Sequence, residues 1–551
     1  MGLYKILKKI GVPEWLRVLE SVVLIIIYGF MIHAGVATLR AIIMLGINLC
    51  SKLLGRTYDM KVATAVAASV LVAGNPAFLD SAGFILSFMA ILALIFFYPF
   101  MKTTFGLIEQ SCEKEWLCKL WDGFLVTFSI TFFLLPVQAY YYYEIYPYSM
   151  ILNLIVLLLF TVVLYLGFAG GIVGMYFPFL GKFLLIPCKV IFGFYQWLCE
   201  STGGLAGNRI VLGKPSICQV IIFYVCVMGV VYWGNVLGKK KKEKENSFKR
   251  YRILAMAVCF TASIVLCWRI RWNTQVVFLD VGQGDCCVIK EKGGMNLLID
   301  GGSSDVSSCG EYRLIPYLKS QGMEKIDYAF LSHLDGDHYS AILEVIQSQK
   351  ESGVEIETLV LSPYGKAGGE YTEFVETVEC AGCKVVYMNP DDTLTVGDDE
   401  EELILQCLFP YGDEEFADTN EQSMILYGQV GAFSMLFTGD MGTETERIFL
   451  NSLAESDDKQ LIQEIDLLKV AHHGSSGSTS EEFLDVVRPK VAVISCGGNN
   501  QYGHPHKETL ERLENCGSRF FVTSQIGQIT VDVFGGKKGG REFRISRENS
   551  K

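Results

Sequence analysis

Four side chains able to bind a metal fall within six positions of one string, SHLDGDH: His333, Asp335, Asp337 and His338. Imidazoles and carboxylates crowded so closely repel one another or stay badly desolvated unless a cation lies between them. Histidine is scarce, seven in 551 residues, yet it recurs further on at His472, His473, His504 and His506. Carboxylates recur too, with Asp300 closing LLIDGG and Asp440 closing FSMLFTGD. Together these residues predict a metal centre whose chemistry would be hydrolytic, because a bound cation lowers the pKa of water and steadies oxygen charge.

Elements must deliver these residues to one place. Each ligand-like group follows an apolar run bounded by glycine and polar residues, the pattern of a buried strand. Loops at strand ends are where a rigid scaffold can hold ligands. The first 272 residues read differently. Runs at 83–100, 123–137, 150–168, 183–198 and 217–237 are long and nearly uncharged. With 21–39 and 253–270 they predict roughly seven to nine membrane spans, given a hydrocarbon core of about 30 Å. Asn75-Pro76 and Asp80, set in apolar sequence, predict an interrupted helix lining a cavity. His33 reads as a satisfied intramembrane histidine.

Charge divides the chain at the same place. Up to residue 272 there are 25 Lys+Arg against 12 Asp+Glu; from 273 onward there are 22 against 47. The halves therefore carry +13 and −25, which add to the −12 of the whole. The reading is a polytopic membrane domain over 1–272 and a soluble metal domain over 273–551. The densest cation block, KKKKEKENSFKRYR at 239–252, forms a basic loop near 238–252 that the positive-inside rule makes cytoplasmic. One more span then puts the metal domain outside the cytoplasmic membrane, with Arg269 and Arg271 as the opposing signal. A charge of −25 argues against a broad DNA-binding surface on that domain. Of 17 cysteines, Cys380 and Cys383 form a C-x-x-C pair, read as a disulfide or as free thiols.

SHLDGDH resembles the signature of the metallo-β-lactamase superfamily, with Asp335 where a second histidine is usual. VGQGD (281–285), LIDGG, SHLDGDH, TGD, HHGS and GHP, in this order, resemble the C-terminal domain of the ComEC family of competence DNA channels. NPAFLDSAGFILSF (75–88) and LRAIIM (39–44) are similar to segments of that family's membrane domain. The resemblance implies a polytopic α-helical membrane domain followed by an α/β metallo-β-lactamase-like αββα sandwich. It implies His333 and Asp335 on a first metal, Asp337 and His338 on a second, and Asp440 bridging them. His473, or its neighbour His472, and His504 then compete for the last ligand and the general acid, and Asp337, His473 and His504 make up the catalytic set. Asp280 and Asp285 read as structural or as carboxylates orienting a ligand histidine.

One departure bears on the metal. No histidine lies between His338 and His472; Asn420 and Ser423 stand about where the superfamily supplies one. An oxygen-richer site favours manganese over zinc, with magnesium possible and one or two ions bound. The function implied is DNA uptake in natural transformation, with a single strand passing the channel and duplex DNA at the outer domain. That domain would hydrolyse the non-transported strand. The alternatives are a non-catalytic guiding module, or a membrane-anchored hydrolase of small substrates. Other competence proteins and a homo-oligomer are the expected partners. Family members usually carry an N-terminal soluble domain, so a short or truncated member is expected.

Overall fold

The computed structural model describes residues 9–33, 35–105, 114–239, 245–363, 369–397, 402–411, 419–454, 460–535 and 541–548. They form two compact units, Met1–Trp268 and Arg269–Lys551.

In the first unit, seven helices among the described residues are long and apolar enough to cross a membrane. They are Val36–Leu53, Ala82–Phe105, Glu115–Tyr142, Ser149–Tyr176, Pro178–Gly203, Ile217–Val236 and Arg250–Cys267. Exposed Leu157, Leu158, Leu164 and Phe168 on one of them are what a lipid-facing surface requires. The expected span over 21–39 is corrected: helix Glu14–Met31 stops, His33 takes φ 46°, and the next helix starts at Val36 behind Gly35. A left-handed residue cannot continue the helical hydrogen-bond ladder, so the apolar run divides there. His33 is exposed at that break.

The interruption at Asn75 is observed. Helix Met60–Gly74 ends where the Asn75 side chain accepts the Ala77 N–H at 3.1 Å, and Pro76 begins a single 3₁₀ segment, Pro76–Asp80. Proline without an N–H and asparagine bonding its own backbone both favour such a stop. The hydroxyl of Tyr141 reaches the carbonyl of Asp80 at 3.4 Å. Residues 240–244 of the basic block lie outside the described residues.

The second unit is built on two sheets. With β1 (Glu144–Ile145) and β2 (Ile210–Val211) paired in the first unit, one sheet here runs β17 (Arg541–Glu548), β16 (Gln528–Gly535), β3 (Thr274–Phe278), β4 (Cys286–Lys290), β5 (Asn296–Gly301), β6 (Lys325–Leu331), β7 (Glu355–Leu361) and β8 (Lys384–Tyr387), and the other β15 (Arg519–Val522), β14 (Val491–Ile494), β13 (Leu467–Lys469), β12 (Phe433–Phe437), β11 (Ile425–Val430), β10 (Leu403–Phe409) and β9 (Thr393–Val396). The strands that lead to the site are β4 (Cys286–Lys290), β5 (Asn296–Gly301), β6 (Lys325–Leu331), β12 (Phe433–Phe437), β13 (Leu467–Lys469) and β14 (Val491–Ile494). Alternation assigns their faces. On β4 and β5, Cys287, Ile299 and Leu297 join Leu405, Met435 and Leu467 of the other sheet in a shared core. Cys286, Val288 and Leu298 face the opposite way, under helix Gly336–Ser352. Helices Thr443–Ala454, Glu481–Val487 and Lys507–Asn515 cover the outer face of the second sheet through Phe449, Phe483 and Leu513. The layers are therefore helix, sheet, sheet, helix. Cys380 and Cys383 are free thiols, Cys380 exposed and Cys383 buried.

Candidate metal centre

Strand β6 ends at Leu331 and releases the chain into Ser332 and His333, after which Asp335 takes extended dihedrals (φ −102°, ψ 146°) and starts helix Gly336–Ser352. Asp337 and His338 therefore sit in the first helical turn, pointed back over the strand ends. Backbone must come unusually close here. A Cβ on Gly302 would lie 2.6 Å from the carbonyl of Gly336, and one on Gly284 2.7 Å from the carbonyl of Asp337. These two glycines let the VGQGD and LIDGG turns press against the helix start. The Asp285 N–H donates to the Asp337 carbonyl (3.0 Å) and the Gly302 N–H to the Asp285 carbonyl (3.0 Å), tying the three segments together.

The second sheet supplies the rest. Asp440 follows β12, its N–H donating to Ser423 Oγ at 3.0 Å. His472 and His473 follow β13 with φ of 47° and 52°, and this left-handed pair turns the two rings apart. His473 is buried and faces Asp440; His472 is half-buried and points toward His504, ring centroids 5.7 Å apart. Adjacent histidines could not be told apart by sequence; the geometry puts His473 in the cluster.

Asp440 is the hub. Its two oxygens lie 3.3 Å from His338 Nε2 and 3.3 Å from His473 Nε2. Asp337 Oδ2 is 3.4 Å from the same His473 nitrogen, and the His333 ring centroid lies 4.2 Å from that of His338, the two planes tilted by 49°. The Nε2 atoms of His333, His338 and His473, and Oδ1 of Asp440, are buried and make no hydrogen bond. Such atoms are costly to bury without a partner. On the far side of two rings the partners are in place: His338 Nδ1 bonds Asp300 Oδ2 at 3.0 Å, and His473 Nδ1 bonds the Ser495 carbonyl at 3.0 Å. Both rings thus donate from Nδ1 and keep the Nε2 lone pair for a cation, the arrangement of metal-ligating histidine. The donor set fits a divalent ion.

Electrostatics agree. Burial alone would discharge the Asp440 carboxyl, but His473 and His338 outweigh it and hold its pKa well below the usual range. Asp337 is likewise held at about 2: burial opposes, and the contact with His473 and the His338 charge win. Burial pushes the other way on His473, yet Asp440 and Asp285 raise it to about 9. With protons alone as counter-charge, carboxylates and imidazoles hold protons between them, which is how a metal site balances before it binds metal. His333, by contrast, is lowered to about 4 by burial and by His338.

The remaining expected residues fall around this core. Asp335 stands at the rim, Oδ2 3.8 Å from His333 Nε2 and Oδ1 accepting the Thr419 hydroxyl at 2.8 Å. Ser423 lies behind His333 (3.4 Å) and Asp440, so it braces ligands; Asn420 Oδ1 is buried without a hydrogen bond. His504, half-buried, is lowered to about 4 by burial and by His473, and is held by Asn500 and by Gln283 (3.4 Å). His506 accepts the Ser476 N–H at 2.9 Å and so supports the histidine turn. Asp285 lies on the opposite side of the imidazoles from Asp440, 3.8 Å from both Nδ1 atoms. Sequence reading missed its partner: buried Lys469, at the end of β13, forms an ion pair with Asp285. The one available signal was a lysine inside the apolar run LLKVA.

Asp300 tests the orienting network. Its own φ of 54° is one that asparagine tolerates, so Asp300→Asn should fold while losing the charge behind His338. The variant is expected to bind divalent metal about 10- to 100-fold more weakly, measured by competition with a chelator.

Comparison with known proteins places both units. Residues 1–236 match the family described as competence protein, and residues 279–498 match the metallo-β-lactamase superfamily. The chain is 25% identical over 555 residues to ComE operon protein 3 of Bacillus subtilis, covering 96% of this chain and 65% of the relative. It is 27% identical over 546 residues to Recombination protein 2 of Haemophilus influenzae, covering 93% and 63%. The chain thus spans less than two thirds of either relative's length. Over 271 residues it is 26% identical to competence protein ComA of Neisseria gonorrhoeae, 49% of this chain and 34% of that one. Among solved structures, the metallo-β-lactamase fold protein YhfI from Bacillus subtilis is matched at TM-score 0.30 and 13% identity, over 45% of this chain and 96% of that one.

Proposed function

We propose that this chain, a member of the competence-protein family with a C-terminal metallo-β-lactamase superfamily domain, takes DNA across the cytoplasmic membrane and hydrolyses phosphodiesters of the strand left outside. The observation that carries the hydrolytic half is the convergence of two buried, unbonded Nε2 atoms, those of His338 and His473, with the Asp440 and Asp337 carboxylates. Divalent cations held there by His338, His473, Asp440 and Asp337, with His333 and Asp335 alongside, would supply water of lowered pKa and stabilise the attacking and leaving oxygens. Three carboxylates among the donors favour Mn²⁺, then Zn²⁺ or Mg²⁺.

The chain's own groups orient and move protons. Asp300 and the Ser495 carbonyl fix the two imidazoles. His504 stands at the mouth, its ring centroid 6.3 Å from that of His473, where it can exchange a proton with a leaving oxygen. The basic block before the last span supports a metal domain outside the membrane. The interrupted helix at Asn75–Asp80 supports a polar path through it.

The test uses the full chain in detergent, freed of metal and resupplied with Mn²⁺, Mg²⁺ or Zn²⁺ singly, on end-labelled single- and double-stranded DNA. Cleavage restored best by Mn²⁺ is expected. A metal-loaded, folded chain that cuts neither substrate would leave a channel with a guiding metal module.

A further inference from the structure

Beside the metal centre, on the His333 side, lies a cavity of about 310 Å³. It opens where β6 and β7 (Glu355–Leu361) end, the position at which open α/β sheets hold ligands. Its walls combine two kinds of surface. Leu331, Leu334, Leu361 and Tyr371 are apolar, and Tyr371 is fixed because its hydroxyl donates to the Ser362 carbonyl at 2.7 Å. Gln422 adds an amide to the lining, beside the Thr419 hydroxyl, which donates to Asp335, and the Ser332 hydroxyl, 3.0 Å from His333 Nδ1.

The charge around it selects what can enter. Glu370 lines the cavity, and the Asp335 carboxylate stands against Thr419 at its rim. No lysine or arginine is among its described lining residues. A phosphate would meet carboxylates here without a cation, whereas the metal centre next door is where an anion is stabilised. The two sites therefore divide a substrate into an anionic part and an uncharged part. Apolar faces with a polar edge suit a flat ring bearing hydrogen-bonding groups.

We infer that this cavity receives one nucleobase, with its sugar, adjacent to the phosphate being cut, and so selects single-stranded or frayed DNA. The inference rests on the phosphodiesterase reading above. A base in this cavity cannot remain stacked in a duplex, so it must be unpaired before the neighbouring phosphate reaches the metals.

A walk of a single abasic residue along a labelled single-stranded oligonucleotide tests it on the unmodified full chain with Mn²⁺. Loss of the base at one fixed offset from the cut should lower kcat/KM about tenfold or more, the scale of one base contact, with other offsets near unity. Gln422→Trp, which fills the cavity, should lower kcat/KM on intact DNA similarly and make the abasic offset silent, with metal content unchanged. Equal cutting at every abasic position would overturn the nucleobase site while leaving the phosphodiesterase reading intact. No cutting of any DNA by the metal-loaded chain would overturn both.

Discussion

Asp440→Ala is expected to abolish the proposed metal-dependent cleavage, by at least about 10³-fold, and to lower the metal retained after desalting. The size of the effect follows from position. Asp440 is the one described carboxylate within 3.3 Å of both His338 Nε2 and His473 Nε2, and it is buried. Its removal takes away the carboxylate that joins the two imidazole lone pairs, leaving Asp337 beside His473 alone. The fold should survive, because the backbone link from residue 440 to Ser423 Oγ does not need the side chain. Asp440→Asn keeps the shape and loses only charge, so a loss of similar size would assign the effect to the carboxylate and exclude a cavity. Elemental analysis and thermal melting of both variants accompany the rates. Either variant cutting DNA near the parent rate would remove Asp440 from the mechanism.

Much of this site was legible in the sequence because strand ends and turns carry local signals. SHLDGDH places a strand end, a helix start and four donors in one short string, and the continuous apolar run into LIDGG marks a buried strand. The interrupted helix was legible for the same reason, since Asn75 and Pro76 act on their own backbone. What escaped depends on long-range packing or single dihedrals. Whether His472 or His473 points inward is decided by two left-handed residues, which the string HHGS does not specify. The apolar run 21–39 looks continuous, yet one residue with positive φ divides it. Asp285 and Lys469 belong to different sheets, and nothing local to either predicts that they meet.

That pair carries the largest expected effect on stability. Lys469 and Asp285 are both nearly inaccessible, at 4% and 3% exposure. Burial would discharge the Lys469 ammonium, but Asp285 and Asp440 outweigh it and keep its pKa raised, so the pair is ionic. Lys469→Met leaves the buried Asp285 carboxylate without its ammonium, with only the imidazoles of His338 and His473 at 3.8 Å, and is expected to cost about 3–5 kcal/mol. Asp285→Asn strands the ammonium instead and should cost a similar amount. The double variant buries no net charge, and removing both members of an ion pair is often close to neutral. Its loss should therefore fall well below the sum of the two, a coupling on the order of 2–3 kcal/mol. Pulse proteolysis of the full chain in denaturant, with EDTA present so that metal binding adds nothing, reads all four stabilities. Simple additivity would mean that water reaches the pair and screens it. Strong coupling would mean that the floor of the metal centre is held by a fixed internal charge pair, independent of the ion above it.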